Sequence, residues 1–348
     1  MLKILFILVC VAAAVLIAGR IFGKLYRNER RPDAIHFTRT ADGWWLALHA
    51  YHPPAGVPLR RPVICCHGLC GNHHCYDLTE RTSLARTLAA HGHPTFVLDL
   101  RGAGESDKGG PGRGHPLSWR LSDHYRYDAP AAIEKVRQVT GADRLHWIGH
   151  SMGGMTAYAF LQTPLAEQIS RCVILASPAT FYKFRPAHRF APLLRLIPGV
   201  PMRILSQCVA PLFESFRPLQ VFSGNIHLAP GDAALSGANL QDQAPSSLLR
   251  DFTRFIQNGY FLDDGNRNLI DGLRQVRTPI LFMMGEKDQM DIEAIKPAVA
   301  ALGSEEKKFV PLGVRYGHQT EYGHLTLLLG PHVQEEVFPE ILAWLAKG

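Results

Sequence analysis

The pentapeptide GHSMG, Gly149 to Gly153, is the strongest chemical signal in this 348-residue chain. It follows the strand pattern RLHWIG (144–149) and opens the helical pattern MGGMTAYAFLQ (152–162). A serine on so sharp a strand-to-helix turn has strained backbone and near neighbours that would collide with any side chain, so glycines belong two positions before and after it. The helix amino terminus beyond Ser151 offers N–H groups and a positive dipole end to a developing oxyanion. Outside that context the motif would read as a glycine-rich turn with an incidental serine. A hydroxyl is a poor nucleophile until a base removes its proton, so the chemistry also demands a histidine and a carboxylate that orients it.

A second stretch, VICCHGLCGNHHC (63–75), packs four cysteines and three histidines into thirteen positions and raises the question of a metal. A zinc site needs ligands converging from spaced turns, usually as pairs. Adjacent Cys65 and Cys66 point instead to opposite sides of a strand. They read as small buried apolar residues ending it, with His67 and Gly68 in the turn that follows. Cys70, His73, His74 and Cys75 then belong to the loop and first helical turn as structural residues. No phosphate loop, dinucleotide fingerprint or metal motif stands elsewhere, so catalysis is expected to need no cofactor.

The elements that must position Ser151 alternate short apolar runs with helical patterns, uninterrupted by repeats or low-complexity tracts, which reads as an α/β fold. IHFTRT (35–40) and WWLALHAY (44–51) form a hairpin around ADG, and further strand patterns fall at 62–66, 94–100, 144–149, 171–177, 279–285 and 307–313. Near-continuous Val, Ile, Leu and Phe in most of the later ones indicates burial on both faces, as in a parallel sheet. Helical patterns span 78–92, 123–141 and 152–162, and HVQEEVFPEILAWLA (332–346) closes the chain. Between the sixth and seventh strands lie about 100 residues, Pro178 to Thr278, too many for an ordinary loop.

Over residues 34 to 348 the chain resembles the α/β-hydrolases, in their serine lipase and esterase branch. HGLCGN (67–72) is similar to the family's His-Gly turn after the third strand, DLRGAGESD (99–107) to the turn after the fourth, and GEKDQM (285–290) and YGHLTLLLG (322–330) to its acid and histidine loops. TGADRLHWIGHSMGG (140–154) and the spacing from His324 to Gly330 look most like lysosomal-acid-lipase-type enzymes and their bacterial relatives. They are also similar to polyhydroxyalkanoate synthases, which carry a cysteine where this chain has Ser151, a difference that favours hydrolysis over polymerisation. The resemblance implies an α/β-hydrolase fold: a mostly parallel eight-stranded sheet flanked by helices, its core formed by residues 34–177 and 279–348, with a helical cap at 178–278 between strands 6 and 7.

The family's chain order is serine, acid, histidine. Of 17 histidines, His318 in YGHQT and His324 in YGHLT come late enough; family spacing favours His324, because HLTLLLG leads into the closing helix. Asp288 ends PILFMMGEKD, a buried strand and short turn that would project a carboxylate at the carboxyl edge of the sheet. Asp291 is the second candidate, and helix capping is the alternative role for either. By resemblance the oxyanion donors are the N–H groups of Leu69 and Met152. Apolar residues at helical spacing in 190–216 and 248–261 suggest a lid over an apolar pocket, hence a lipophilic acyl group. The expected activity is hydrolysis of carboxylic esters through an acyl-enzyme. An acyltransferase built on the same triad and a non-catalytic lipid-binding member of the fold are the alternatives.

The composition, 47% hydrophobic and 19% charged, is that of a globular chain. The net charge of +7 comes partly from Arg20, Lys24, Arg27, Arg30 and Arg31, and no basic stripe or interleaved aromatics mark a nucleic-acid surface. Residues 4–19 carry no charge and, with Ile21 and Phe22, nearly reach the roughly 20 apolar residues that a membrane helix needs. Residues 1–23 are therefore expected to be a membrane anchor or a cleaved signal segment. The five basic residues that follow place the catalytic part in the cytoplasm, and an odd number of cysteines, seven, fits a reducing compartment. Because all catalytic candidates lie after residue 60, removal of residues 1–31 is expected to leave an active enzyme.

Overall fold

The computed structural model describes residues 2–182, 198–216, 227–229 and 231–348. Among them the central sheet has eight strands: β1 (Ala34–Arg39), β2 (Trp45–Tyr51), β3 (Val63–Cys66), β4 (Thr95–Asp99), β5 (Leu145–His150), β6 (Ile169–Leu175), β7 (Ile280–Gly285) and β8 (Lys307–Leu312). Their spatial order is β1-β2-β4-β3-β5-β6-β7-β8. Only β2 runs against its neighbours, pairing antiparallel with both β1 and β4, while β4, β3, β5, β6, β7 and β8 pair in parallel.

Strands β3, β4, β5, β6 and β7 are buried on both faces, as their largely apolar sequences require, while β8 at the edge is exposed or half-buried over most of its length. The adjacent cysteines show how. Cys65 packs on one side of the sheet with Val63, Val97, Ile148 and Val173, and Cys66 on the other with Ile64, Trp147, Met155 and Ile174. Burial pushes the Cys65 thiol far above its ordinary value, as expected of a small core residue.

Helices α1 (Leu2–Leu25), α2 (Leu84–Ala90), α3 (Ala129–Thr140), α4 (Met152–Phe160) and a closing helix (Phe338–Leu345) surround this core, together with those of the β6–β7 connection. Two sequence expectations are corrected. The pattern at 78–92 yields a helix only from Leu84, where Ser83 caps it by accepting the Arg86 N–H; residues 73–76 form a separate 3-10 turn. The closing helix is divided into Val333–Glu336 and Phe338–Leu345, because Pro339 has no N–H to continue the ladder and is tolerated only in a first turn.

The connection from β6 to β7 holds α5 (Met202–Val209), α6 (Asp232–Asn239) and α7 (Ser246–Asn258), and a two-residue pairing of 199–200 with 244–245. Residues 183–197, 217–226 and 230 of the segment expected to form a cap lie outside the described residues.

Helix α1 packs along α5 and touches α6. Among the described residues no helix is long and apolar enough to cross a membrane. The chain after α1 is also fastened to the body: Asn28 donates its N–H to Asn239 Oδ1 (2.9 Å) and its amide to the Leu78 carbonyl (3.0 Å), Asn239 donates to the Tyr26 carbonyl (2.7 Å), and Arg30 pairs with buried Asp77 (2.8 Å). Tyr26, Asn28 and Arg30 thus make part-buried hydrogen bonds with the body and α1 packs on it, contacts that removal of residues 1–31 would delete.

Candidate active site

The site is assembled at the carboxyl ends of β3, β5, β7 and β8, the edge at which open α/β sheets bind ligands. Ser151 follows β5 with φ 53° and ψ −117°, a conformation that costs a non-glycine residue about 1–3 kcal/mol. Surroundings hold it there. Its N–H donates to the Leu175 carbonyl on β6 (2.8 Å), and its own carbonyl accepts the N–H groups of Gly154 and Met155 in the first turn of α4. The flanking glycines are required by space: a Cβ at Gly149 would lie 2.5 Å from the backbone of Gly153, and one at Gly153 would lie 2.2 Å from the Cys66 carbonyl oxygen. The turn therefore presses directly on the end of β3.

The turn after β3 presses back, since a Cβ on Gly68 would come within 2.9 Å of the Ser151 Cβ. Buried His67 shapes this turn. Its Nε2 accepts the Leu100 N–H (3.1 Å) and its Nδ1 donates to the Gly68 carbonyl (2.8 Å), a pattern only the neutral ring satisfies. Burial accordingly lowers its pKa. Leu69 follows at the cavity wall, and Met152 opens α4, whose first amides have no intrahelical partner.

The acid and histidine loops meet over β7. Asp288 is buried, its Oδ1 accepts the Met290 N–H (2.8 Å), and the neighbouring Lys287 N–H donates to the Tyr322 carbonyl (2.9 Å). Gly285 permits that approach, because a Cβ there would lie 2.2 Å from the same carbonyl oxygen. His324 Nδ1 is 2.9 Å from Asp288 Oδ2 and 3.1 Å from Oδ1. A proton held on Nδ1 by the carboxylate leaves Nε2 of the neutral ring as a lone-pair acceptor.

The other candidates lie elsewhere. His318 Nδ1 engages the Gly313 backbone, and Asp291 accepts the Glu293 N–H at the start of a short 3-10 turn. His150, one residue before the serine, was not singled out by sequence, although it sits inside the quoted motif. Its Nε2 lies 2.9 Å from the His324 carbonyl, and burial, with the nearby His324, lowers its pKa to about 3.

Ser151, His324, Gly68 and Leu69 open into one cavity of about 730 Å³, within the range of small-molecule sites. Its remaining wall is mostly apolar and comes largely from the β6–β7 connection, including Leu205, Phe213, Phe252 and Ile256.

The cysteine- and histidine-rich stretch contributes one polar cluster outside this cavity. Among the described residues, His49, His73 and Asp99 bring possible metal-ligand atoms within 4.8 Å of one another. The Asp99 oxygens already accept from His49 Nε2 (2.8 Å), His73 Nδ1 (2.9 Å) and the backbone N–H groups of His73 and Glu105. The Asp99 carboxylate is thus well supplied with donors, His49 Nδ1 is buried without a hydrogen-bond partner, and the two imidazoles stack at 3.7 Å.

A mostly parallel sheet with a strained serine after its fifth strand is the arrangement of the α/β-hydrolases. A family model described as alpha/beta hydrolase fold matches residues 61–331, and the chain belongs to that family. It is 24% identical to the "Probable lipase C16A3.12c" of Schizosaccharomyces pombe, over 88% of this chain and 75% of that protein. It is 31% identical to the gastric triacylglycerol lipase of Bos taurus over 43% of this chain and 40% of that one. Among solved structures, the monoacylglycerol lipase of Paleococcus ferrophilus superposes with a TM-score of 0.57 at 17% identity, covering 87% of this chain and 98% of that one.

Proposed function

We propose that this protein hydrolyses carboxylic esters of lipophilic acids through a Ser151–His324–Asp288 triad. The observation that carries the reading is that Ser151, in strained backbone, shares one apolar cavity with His324, whose Nδ1 is held by buried Asp288. Ser151 Oγ attacks the ester carbonyl carbon while its proton passes to His324 Nε2. The tetrahedral oxyanion is held by the N–H groups of Leu69 and Met152, a contribution of about 3–4 kcal/mol per donor in comparable sites. Collapse expels the alcohol, which leaves with the proton from His324 and gives an acyl-enzyme. Water, deprotonated by His324, then releases the acid and restores Ser151.

The segment 178–278 acts as the cap that supplies the acyl-binding wall, which is supported by the share of the cavity lined by α5 and α7. The same reading assigns the amino-terminal segment to a lipid surface on the cytoplasmic side. Its support is the uncharged run at 4–19, the five basic residues after it, and the exposed side chains of Leu16, Ile17 and Ile21. Labelling with a fluorophosphonate and mapping of the modified peptide tests the core of the proposal. A label on Ser151 that is lost in Ser151→Ala is expected; labelling that survives the substitution overturns it. Protease protection of sealed vesicles tests the topology separately.

A further inference from the structure

We infer that α1 forms a wall of the acyl pocket and thereby sets which acyl lengths the site accepts, an inference that rests on the ester-hydrolase reading above. Val15, in the middle of α1, lines the same cavity as Ser151 and His324. Leu205, Cys208 and Val209 of α5 line it too, so two elements almost two hundred residues apart contribute to one apolar surface.

The contact between the helices is specific. The Cys208 thiol donates to the Val15 carbonyl oxygen at 2.9 Å. One turn further along α1, a Cβ on Gly19 would lie 3.1 Å from Cys208 Sγ and 3.3 Å from Ile204, and one turn beyond that a Cβ on Gly23 would lie 2.7 Å from the Gln207 side chain. Val15, Gly19 and Gly23 share a helix face at four-residue spacing, and the missing side chains let α1 approach α5 closely. The side chains of Leu16, Ile17 and Ile21 are exposed. Beyond the helix, the Asn28–Asn239 and Arg30–Asp77 bonds fix its carboxyl end. Helix α1 is therefore held at a defined depth against the pocket, and the occupant this wall fits is an alkyl chain, since its cavity-facing atoms are hydrocarbon and sulfur.

The test uses the full chain with Val15→Ala and Val15→Trp, comparing kcat/KM for p-nitrophenyl esters from acetate to myristate. Trp shortens the pocket and should lower the decanoate-to-acetate ratio by about tenfold or more, whereas Ala lengthens it and should move the optimum toward longer esters. Loss of folding would move all esters together and could not give opposite shifts. Gly19→Leu, which separates the helices, should likewise depress decanoate relative to acetate. A ratio unchanged in all three variants overturns the inference. Displacement of a fluorescent undecanoic acid is measured in parallel in the Ser151→Ala background. If no ester is turned over by the unsubstituted chain, the hydrolase reading fails, while weaker fatty-acid binding with Val15→Trp still upholds the wall and unchanged binding rejects it.

Discussion

His150 Nε2 donates a hydrogen bond to the main-chain carbonyl oxygen of His324 across 2.9 Å, so the residue before Ser151 holds the backbone of His324. The two rings lie 4.8 Å apart. With its pKa lowered to about 3, His150 remains a neutral donor throughout the working range. His150→Phe keeps an aromatic ring but leaves a buried carbonyl without its partner, which costs about 1–3 kcal/mol. Denaturant unfolding should report that loss, and kcat should fall more than KM rises because the defect lies in the placement of the base. Unaltered kcat would show that the loop after β8 is held by other contacts.

His324→Ala should reduce ester turnover by roughly four to six orders of magnitude. His318→Ala, which removes a side chain bonded to the Gly313 backbone, should change it only a few-fold. Steady-state kinetics on the two variants decides between the histidines, and the opposite ranking would transfer the role to His318.

Ser151→Gly should be more stable than Ser151→Ala by about 1 kcal/mol, because glycine adopts the φ of 53° at this turn without the penalty that a Cβ brings. Both variants should be inactive. Equal unfolding midpoints would mean that the turn stores no strain.

The Asp99 cluster predicts a pH dependence of stability. Burial opposes the charge on His73, but the Asp99 carboxylate outweighs it and the pKa of His73 rises above the ordinary 6.5. A raised pKa gives stabilisation that is complete below about pH 6.5 and lost as pH rises through the folded-state value. Asp99 itself is held well below 3.8, with burial outweighed by His73 and His49, so its share is present above about pH 4 and lost on acidification. The unfolding free energy of the unsubstituted protein should therefore exceed that of His73→Phe by more at pH 5.5 than at pH 9. A difference that stays flat between these values would rule out a charged His73 in the folded state.

Much of this was legible in the sequence because the relevant signals are local. Glycines around Ser151 report a backbone conformation, and unbroken apolar runs report burial on both faces, so the strands and the turn were placed to within one or two residues. The place of Asp288 beside His324 was legible because a strand followed by a short turn fixes where its carboxylate projects. What sequence did not show depends on distant partners. His150 bonds across 174 positions, and the His49–His73–Asp99 cluster joins two strands and a 3-10 turn. The packing of α1 was not legible for a related reason: an uncharged run looks the same whether lipid or protein covers it, and the glycines that lie against α5 have no local signature.

The docking of α1 has a consequence for biosynthesis. Val15 and its hydrogen-bond partner Cys208 are 193 positions apart. Chains are extended from the amino terminus at about 5–20 residues per second, so roughly 10–40 seconds separate the emergence of α1 from that of the helix that receives it. Throughout that interval the most apolar segment of the nascent chain has no surface of its own protein to rest on. Whichever body shelters it meanwhile, a bilayer or a chaperone groove, must yield the face carrying Val15, Gly19 and Gly23 once α5 has formed, and maturation of the pocket waits on that handover.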